Sequence, residues 1–222
     1  MAETVAPSVD ETEVPAEGSP ATGSRREALA AILRRLPGGH AALVVAVLLV
    51  LGSVWGVTGR QAGQAVEVTQ GSLACTGTKA ATRPVGPDQV PTQAMWLKPG
   101  MRCVLPVHLT NKGPLSVRVS TVLLPLMGTR GGAAVQVKQV GHAVRQGDDI
   151  DGHYRIDRSL APGDRMTLNV VFVIRKGGCT DRGPTWVERF PQVGVRALGI
   201  GSTVAATDAI AFQGTAASTC SD

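Results

Sequence analysis

The segment Cys103-Val-Leu-Pro-Val-His-Leu-Thr110 decides the fold class of this chain, because its apolar residues recur at every second position. A period of two is typical of a β-strand with one buried face. That face carries Cys103, Leu105, Val107 and Leu109. The next residues, Asn111-Lys-Gly-Pro114, have the composition of a turn. A second strand is then predicted, with a shared face formed by Leu115, Val117, Val119 and Leu123.

The pattern of short strands and turns continues towards the C-terminus. Val135 and Val137 mark a third strand, and Leu160-Ala-Pro-Gly-Asp164 is a predicted turn. The strand after this turn has one face made of Met166, Leu168, Val170, Phe172 and Ile174. Two more strands are predicted at Gln192–Leu198 and Thr203–Phe212, and Gly199-Ile-Gly201 reads as a turn between them. No convincing helical period follows Gly59, so residues 60–222 are predicted to form an antiparallel, Ig-like β-sandwich.

The turn-and-strand cadence of residues 102–175 resembles a known class of module. Its two parts are Val107-x-Leu109-x-Asn111-x-Gly113-Pro114 and Leu160-x-Pro162-Gly163, the second followed by alternating apolar residues. This cadence is similar to that of bacterial immunoglobulin-like modules of the CARDB type, which occur as repeats in exported proteins. The resemblance implies a stalk, adhesin or interaction domain. The chain departs from the usual repeats by carrying four cysteines and a single copy.

An uncharged segment from Leu36 to Gly59 predicts a transmembrane helix over residues 40–59. Its apolar centre, Ala41–Thr58, spans about 27 Å as a helix, which is near the thickness of the hydrocarbon layer. Trp55 lies near the outer end, where an interfacial anchor is expected. Four arginines precede the segment and one follows closely: Arg25, Arg26, Arg34, Arg35 and Arg60.

This arginine asymmetry predicts a cytoplasmic N-terminus and an extracytoplasmic domain over residues 60–222. The expected localisation is therefore the cell membrane, crossed once, with the bilayer as the first partner. A cleaved signal peptide is the alternative, although the apolar run is longer than the usual core of a signal. Twin-arginine export is a further alternative, since Ser24-Arg25-Arg26 partly resembles its motif.

Gly52 and Gly56 form a GxxxG pair within the predicted span. Two glycines four residues apart share one helix face and allow a second helix to approach closely. The pair is thus a candidate helix-packing site, either for a homo-oligomer or for a membrane complex in which this chain is an accessory subunit.

The N-terminal segment is predicted to have two parts. Residues 1–23 contain three prolines, five acidic residues and no aromatic residue, which is typical of a disordered cytoplasmic tail. Residues 24–36 fit a short amphipathic juxtamembrane helix that begins with the capping box Ser24-x-x-Glu27. Pro37-Gly38-Gly39 is expected to end it. A segment of this length has no room for a catalytic domain.

All four cysteines follow the predicted span. Disulfides form outside the reducing cytosol, so this distribution agrees with an extracytoplasmic domain. The spacings contain no CxxC pair, which argues against a redox motif and a zinc ribbon. Three pairings are possible, and we favour Cys75 with Cys103 and Cys179 with Cys220.

The net charge of +5 is unevenly distributed. Residues 1–40 carry four arginines and six carboxylates, whereas residues 60–222 carry 18 cations and 11 carboxylates. A domain with this surplus favours anionic partners such as lipid headgroups or a wall polymer, and an envelope protein is a further possible partner. Aromatic residues make up 3% of the chain and no run of five basic residues occurs, so nucleic-acid binding is not expected.

Candidate chemistry is sparse. One acidic cluster has oxygen ligands for calcium but lacks a full calcium loop: Asp148, Asp149, Asp151 and Asp157. Soft or imidazole ligands that suit copper are scattered along the chain: His108, His142, His153, Met95, Met101 and Cys103. No nucleophile elbow, metalloprotease motif or phosphate-binding loop is present. The sequence predicts a binding or structural module, with no enzyme activity, metal or cofactor, and metal handling is the alternative.

Overall fold

A computed structural model describes residues 38–86, 88–131 and 134–220. The predicted tail, residues 1–23, and the predicted juxtamembrane helix, residues 24–36, lie outside the described residues.

The first described element is the helix α1, Gly38–Gln64. Its stretch Ala42–Gln64 is long and apolar enough to cross a membrane, with a mean hydropathy of 2.2. The helix continues five residues past residue 59, the predicted end of the span. The reason is packing: Ala62 and Gly63 are buried, and Gly52 onward belongs to the same compact unit as the strands.

Fourteen strands follow α1. In chain order they are β1 (Val66–Gln70), β2 (Ala74–Thr76), β3 (Ala80–Val85), β4 (Val90–Trp96), β5 (Arg102–Asn111), β6 (Val117–Leu124), β7 (Val135–Val140), β8 (Val144–Arg145), β9 (Gly152–Leu160), β10 (Arg165–Ile174), β11 (Gly183–Val187), β12 (Gln192–Ala197), β13 (Ile200–Ala205) and β14 (Ile210–Gly214).

The strands form three sheets. The first has the order β1-β5-β10-β7, with β2 also paired to β5; the second is β11-β14-β4-β3; the third is β13-β12-β6-β9-β8. All pairs are antiparallel except β4 with β14, which is parallel. The described chain is thus mainly β with antiparallel sheets and one N-terminal apolar helix, as predicted, whereas the parallel pair was not.

One hydrophobic cluster draws side chains from all three sheets. The alternation in β5 is confirmed, because Cys103, Leu105, Val107 and Leu109 are fully buried. From β10, Phe172 packs at centroid distances of 5.9 Å from Phe190 and 6.3 Å from Phe212. The core therefore lies where the sequence pattern places the apolar faces of β5 and β10.

Two sequence expectations are wrong in detail. Leu123 does not share the face of Val117 and Val119, because β6 has an extra residue opposite β12 and the buried positions move to Val122 and Leu124. The predicted strand Thr203–Phe212 is two strands, β13 and β14, which belong to different sheets and are separated by bends at residues 207–208.

The cysteines form two disulfides, Cys75–Cys103 and Cys179–Cys220, which is the pairing favoured from the sequence. The first joins directly opposite residues of β2 and β5. The second closes a segment of 41 residues and holds the C-terminal segment beside Thr180, whose amide donates to Ser218 O at 2.8 Å. In the chain-entropy description, loops of these lengths give each bridge about 3–4 kcal/mol of stabilisation.

Asn111, at the end of β5, is fully buried and joins the two predicted turns, Asn111–Pro114 and Leu160–Asp164. Its Nδ2 donates to Leu115 O at 2.8 Å and to Leu160 O at 3.0 Å, and its Oδ1 accepts from Gly113 N at 3.0 Å. A buried amide is stable only when its donors and acceptor are satisfied, and here all three bonds go to backbone atoms. Asn111 therefore fixes the start of β6 against the end of β9.

We predict that Asn111→Ala lowers the free energy of unfolding by about 3 kcal/mol, because two buried carbonyls lose their donor and one amide its acceptor. Chemical denaturation of the full chain in detergent measures the loss. Asn169→Ala is the matched control, since Asn169 lies exposed on β10 and its loss is expected to change stability by less than about 0.5 kcal/mol. Equal effects of the two substitutions would contradict the role given to Asn111.

Candidate functional site: an arginine-lined cleft

A cleft of about 790 Å³ lies on the third sheet. It is formed by β6, β9, β12 and the turn that joins β12 to β13. Most of its lining is polar, and three residues are arginines. The lining residues are Ser116, Val117, Arg118, Ser120, Thr121, Gln146, Arg155, Asp157, Ser159, Arg196, Leu198 and Gly199. We call this surface the arginine cleft.

Two of the three arginines face each other across neighbouring strands. Arg118 of β6 is paired in register with Arg196 of β12. Like charges at directly opposite positions of a sheet destabilise it. Among the described residues, no carboxylate lies within 4.0 Å of the Arg196 guanidinium. Arg196 thus offers its hydrogen-bond donors to a ligand.

Asp157 lies between the other two arginines. Arg118 Nε donates to Asp157 Oδ1, and Arg155 Nη2 lies 3.6 Å from Asp157 Oδ2. The hydrogen bond from Arg118 holds the pKa of the Asp157 carboxyl below its usual range against an opposing effect of desolvation, and the positive charges of both arginines lower it further. The carboxylate is therefore ionised at neutral pH, and the cleft carries three cationic side chains against one anionic side chain.

Two β-bulges shape the cleft. Ser120 is the extra residue of β6 opposite β12, and its Oγ donates to Gly194 O at 3.0 Å. A second extra residue lies in β9 opposite β6, next to Asp157, whose φ of 61° is in the left-handed region. Bulges bend a strand and redirect side chains, and Asp tolerates this backbone conformation better than most residues. They place Arg155, Asp157 and Ser159 on the same surface as Arg118.

The approach of β12 to the first bulge requires a glycine. A Cβ on Gly194 would overlap the Thr121 hydroxyl, so a side chain at this position would push the two strands apart. The close approach of β6 and β12 fixes the backbone positions of Arg118 and Arg196, which are paired in register.

The arrangement is suited to anion binding. A guanidinium presents several donors in one plane and bonds two oxygens of a phosphate or carboxylate at once. The hydroxyls of Thr121 and Ser159 add neutral donors along the lining.

The acidic cluster predicted as a calcium candidate holds a loop together. Asp151 Oδ1 accepts from Leu126 N at 2.7 Å, and Asp148 Oδ1 accepts from Thr129 Oγ1 at 3.0 Å. Asp157 is separate and belongs to the arginine cleft. Within residues 38–86, 88–131 and 134–220, no three His, Cys, Asp or Glu side chains are placed to hold a metal ion.

The other candidate residues are dispersed. His108 is exposed on β5, with Nδ1 2.9 Å from Thr167 Oγ1, while Met95, Met101 and Cys103 are buried in the core. At Gly52 and Gly56, an added Cβ would meet no described atom within 4 Å, so this helix face is open.

Sequence reasoning missed the arginine cleft. Its arginines are 37 and 41 residues apart in the chain and form no basic run. A local signal was present: polar residues alternate in Arg118-x-Ser120 and in Arg155-x-Asp157-x-Ser159, on the strand faces opposite the apolar ones. That signal predicts a polar outer face, but only the strand pairing brings these faces together.

Comparisons with known proteins identify no family for this chain. No family model matches the chain, and no curated protein matches it. Among solved structures, the ASH/PapD-like domain 7 of human CEP192 is 13% identical, with a TM-score of 0.34, over 69% of this chain and 87% of that chain. Alkylpurine DNA glycosylase AlkC of Pseudomonas fluorescens, bound to DNA with an abasic-site analog, is also 13% identical, with a TM-score of 0.29, over 86% and 44%. Likenesses this distant carry no argument about function.

We predict that Arg118→Gln raises the pKa of Asp157 towards its usual range, because the strongest stabiliser of the carboxylate is removed. Carbon-detected NMR of the Asp157 carboxyl measures the titration. Arg102→Gln, an exposed arginine on β5, is the control and should leave this pKa unchanged.

The lowered pKa of Asp157 makes the stability of the folded domain depend on pH. Because the folded-state pKa of Asp157 lies below the unfolded one, its contribution is present above the unfolded pKa and is lost as the pH falls through the folded pKa. The pair is exposed, so this contribution is small. An unchanged Asp157 titration in Arg118→Gln would contradict the pairing.

Proposed function

We propose that this chain is a single-pass membrane protein of the bacterial cell envelope whose extracytoplasmic β domain binds an anionic component through the arginine cleft. The domain acts as a binding module and carries out no reaction. An Ig-like module of the CARDB type, as the sequence cadence implies, is the proposed scaffold. In such a scaffold, function resides in a site built on the fold and cannot be read from the fold itself.

The apolar surface of α1 supports the membrane anchor. Leu43 and Leu49 are each 66% exposed, and Val50 is 61% exposed. A continuous exposed surface of this kind is unfavourable in water and favourable in a hydrocarbon layer. The four arginines before the helix supply the charge asymmetry that orients such a span with its N-terminus inside.

The disulfides support an extracytoplasmic domain. Both lie after the span; the first joins opposite residues of β2 and β5, and the second lies beside the isolated bridge between Thr180 and Thr219. Stable disulfides are typical of proteins in oxidising compartments.

The position of Arg196 is the single observation that carries the binding proposal. Asp157 pairs with Arg118 and Arg155, which leaves the cleft with a surplus of positive charge and the Arg196 guanidinium with no carboxylate beside it among the described residues. An anion bound at Arg196 compensates this surplus. The wider surplus of positive charge over residues 60–222 favours the same class of partner.

A second candidate function is that of an accessory subunit of a membrane complex. The open face at Gly52 and Gly56 favours it, because a neighbouring helix could approach these positions closely.

We predict that protease added to intact spheroplasts removes an epitope tag fused after Asp222 and spares one fused before Met1. The physical reason is the arginine excess on the N-terminal side of the span. Immunoblotting of both tags reads the outcome, and detergent-permeabilised spheroplasts, in which both tags are cleaved, are the control. A protected C-terminal tag, or recovery of the chain without its N-terminal tag, would contradict the proposed topology.

We predict that the full chain, purified in a neutral detergent, binds fluorescently labelled polyphosphate and that Arg196→Gln weakens binding about tenfold, as expected for a lost charge-assisted hydrogen bond. Asp157→Asn should strengthen binding about threefold, because it removes the only carboxylate of the cleft while Asn tolerates the left-handed backbone. Fluorescence anisotropy at fixed ionic strength measures both.

Arg102→Gln is the matched control, since it removes the same charge from an exposed strand position outside the cleft. Equal weakening by Arg102→Gln and Arg196→Gln would show that only the net charge matters. That result would contradict the assignment of binding to the cleft.

A further inference from the structure

We infer that the arginine cleft receives the headgroup phosphate of an anionic phospholipid from the same membrane that anchors the chain. This inference rests on the proposed function and names the ligand of the same site. It follows from where the cleft lies with respect to the end of the apolar helix.

The last turns of α1 pack directly on the β12–β13 hairpin. A Cβ on Gly59 would lie 2.7 Å from Ile200 Cγ1 and 3.0 Å from Ala197 O, so only glycine permits this approach. Gly59 and Gly63 are buried, and a Cβ on Gly63 would lie 2.2 Å from Ser202 Oγ of β13. β1 begins two residues after the helix ends, so no flexible linker separates the helix from the strands. The contacts at the two glycines hold the hairpin at a fixed level along the helix.

Trp55 sets that level with respect to the membrane. It lies four residues before Gly59, about 6 Å along the helix axis, and within the last turn of the apolar run that ends at Thr58. Tryptophan is enriched at the boundary between hydrocarbon and headgroups. The position of a Cβ on Gly199 is 4.0 Å from Trp55 Cζ2, so the β12–β13 turn lies at the level of the headgroups.

The same turn forms the rim of the arginine cleft. Leu198 and Gly199 are both lining residues, and Arg196 lies two residues before Leu198. Leu198 is 44% exposed, although it is a large apolar residue. A leucine at this level reaches the apolar edge of the interface while the arginines lie among the phosphates. The cleft thus opens at the depth where lipid phosphates are found.

The chemistry of the cleft fits a phosphodiester. Arg118 and Arg196 face each other in register and can bond the two free oxygens of one phosphate. The cleft volume of about 790 Å³ exceeds that of a phosphate and leaves room for the glycerol of the headgroup. A basic group at the membrane surface also gains from the negative potential of anionic lipids. A soluble wall polymer shares the phosphate chemistry, but the position of the rim favours the lipid.

The test is native mass spectrometry of the full chain released from nanodiscs that contain phosphatidylcholine and phosphatidylglycerol. We expect wild-type protein to retain phosphatidylglycerol above its share of the bilayer. Arg196→Gln should reduce this retention about tenfold, and Asp157→Asn should increase it severalfold. Arg102→Gln, which lies outside the cleft, should behave as wild type. Retained disulfides and a cooperative thermal unfolding transition show that the variants are folded.

The outcomes separate the two proposals. Equal retention of the two lipids, or equal phosphatidylglycerol retention by wild type and Arg196→Gln, would overturn the lipid inference. If polyphosphate still binds through Arg196 in that case, the cleft serves a soluble polyanion and the proposed function stands. If neither lipid nor polyphosphate depends on Arg196, both proposals fail.

Discussion

The buried amide of Asn111 is the interaction on which the rest of the β domain depends. Its Nδ2 donates to the carbonyls of Leu115 and Leu160, which lie at the start of the β6 segment and at the end of β9. The first sheet is thereby joined to the third, and Arg118 lies opposite Ser159 in the β6–β9 pair. In the pattern "N-x-G-P … L-x-P-G", Asn111 is the first residue of the first turn, and its side chain bonds the carbonyl of Leu160, the first residue of the second turn.

From this junction the constraint extends to the arginine cleft and to the apolar helix α1. Once β6 and β9 are in register, the bulges at Ser120 and beside Asp157 turn their polar residues onto one surface. β12 completes that surface, and its hairpin with β13 packs against the end of α1 at Gly59. Strand pairing holds Arg118 opposite Arg196, and Asp157 pairs with Arg118 on the same surface.

The sequence predicted what depends on local periodicity. Local repeats and composition predicted the buried faces of β5 and β10, the turn after Asn111 and the apolar helix. They did not predict the β-bulges, and one bulge moved Leu123 off the predicted face. The break between β13 and β14 was missed because the residues on both sides are good strand formers. The arginine cleft depends on pairing between residues distant in the chain, which single-sequence patterns do not encode.

The central claim is that the rim of the arginine cleft lies at the headgroup level of the membrane. Spin labelling of Leu198→Cys in the full chain, with both native disulfides intact and the protein in bilayers, tests it most directly. Power saturation with oxygen and a nickel chelate reports the depth of the label. The account predicts a depth at the headgroups for Leu198→Cys and exposure to bulk water for Ile150→Cys, which is 53% exposed and lies just before β9, at the end of that strand away from Ser159. Bulk-water exposure at both positions would contradict it.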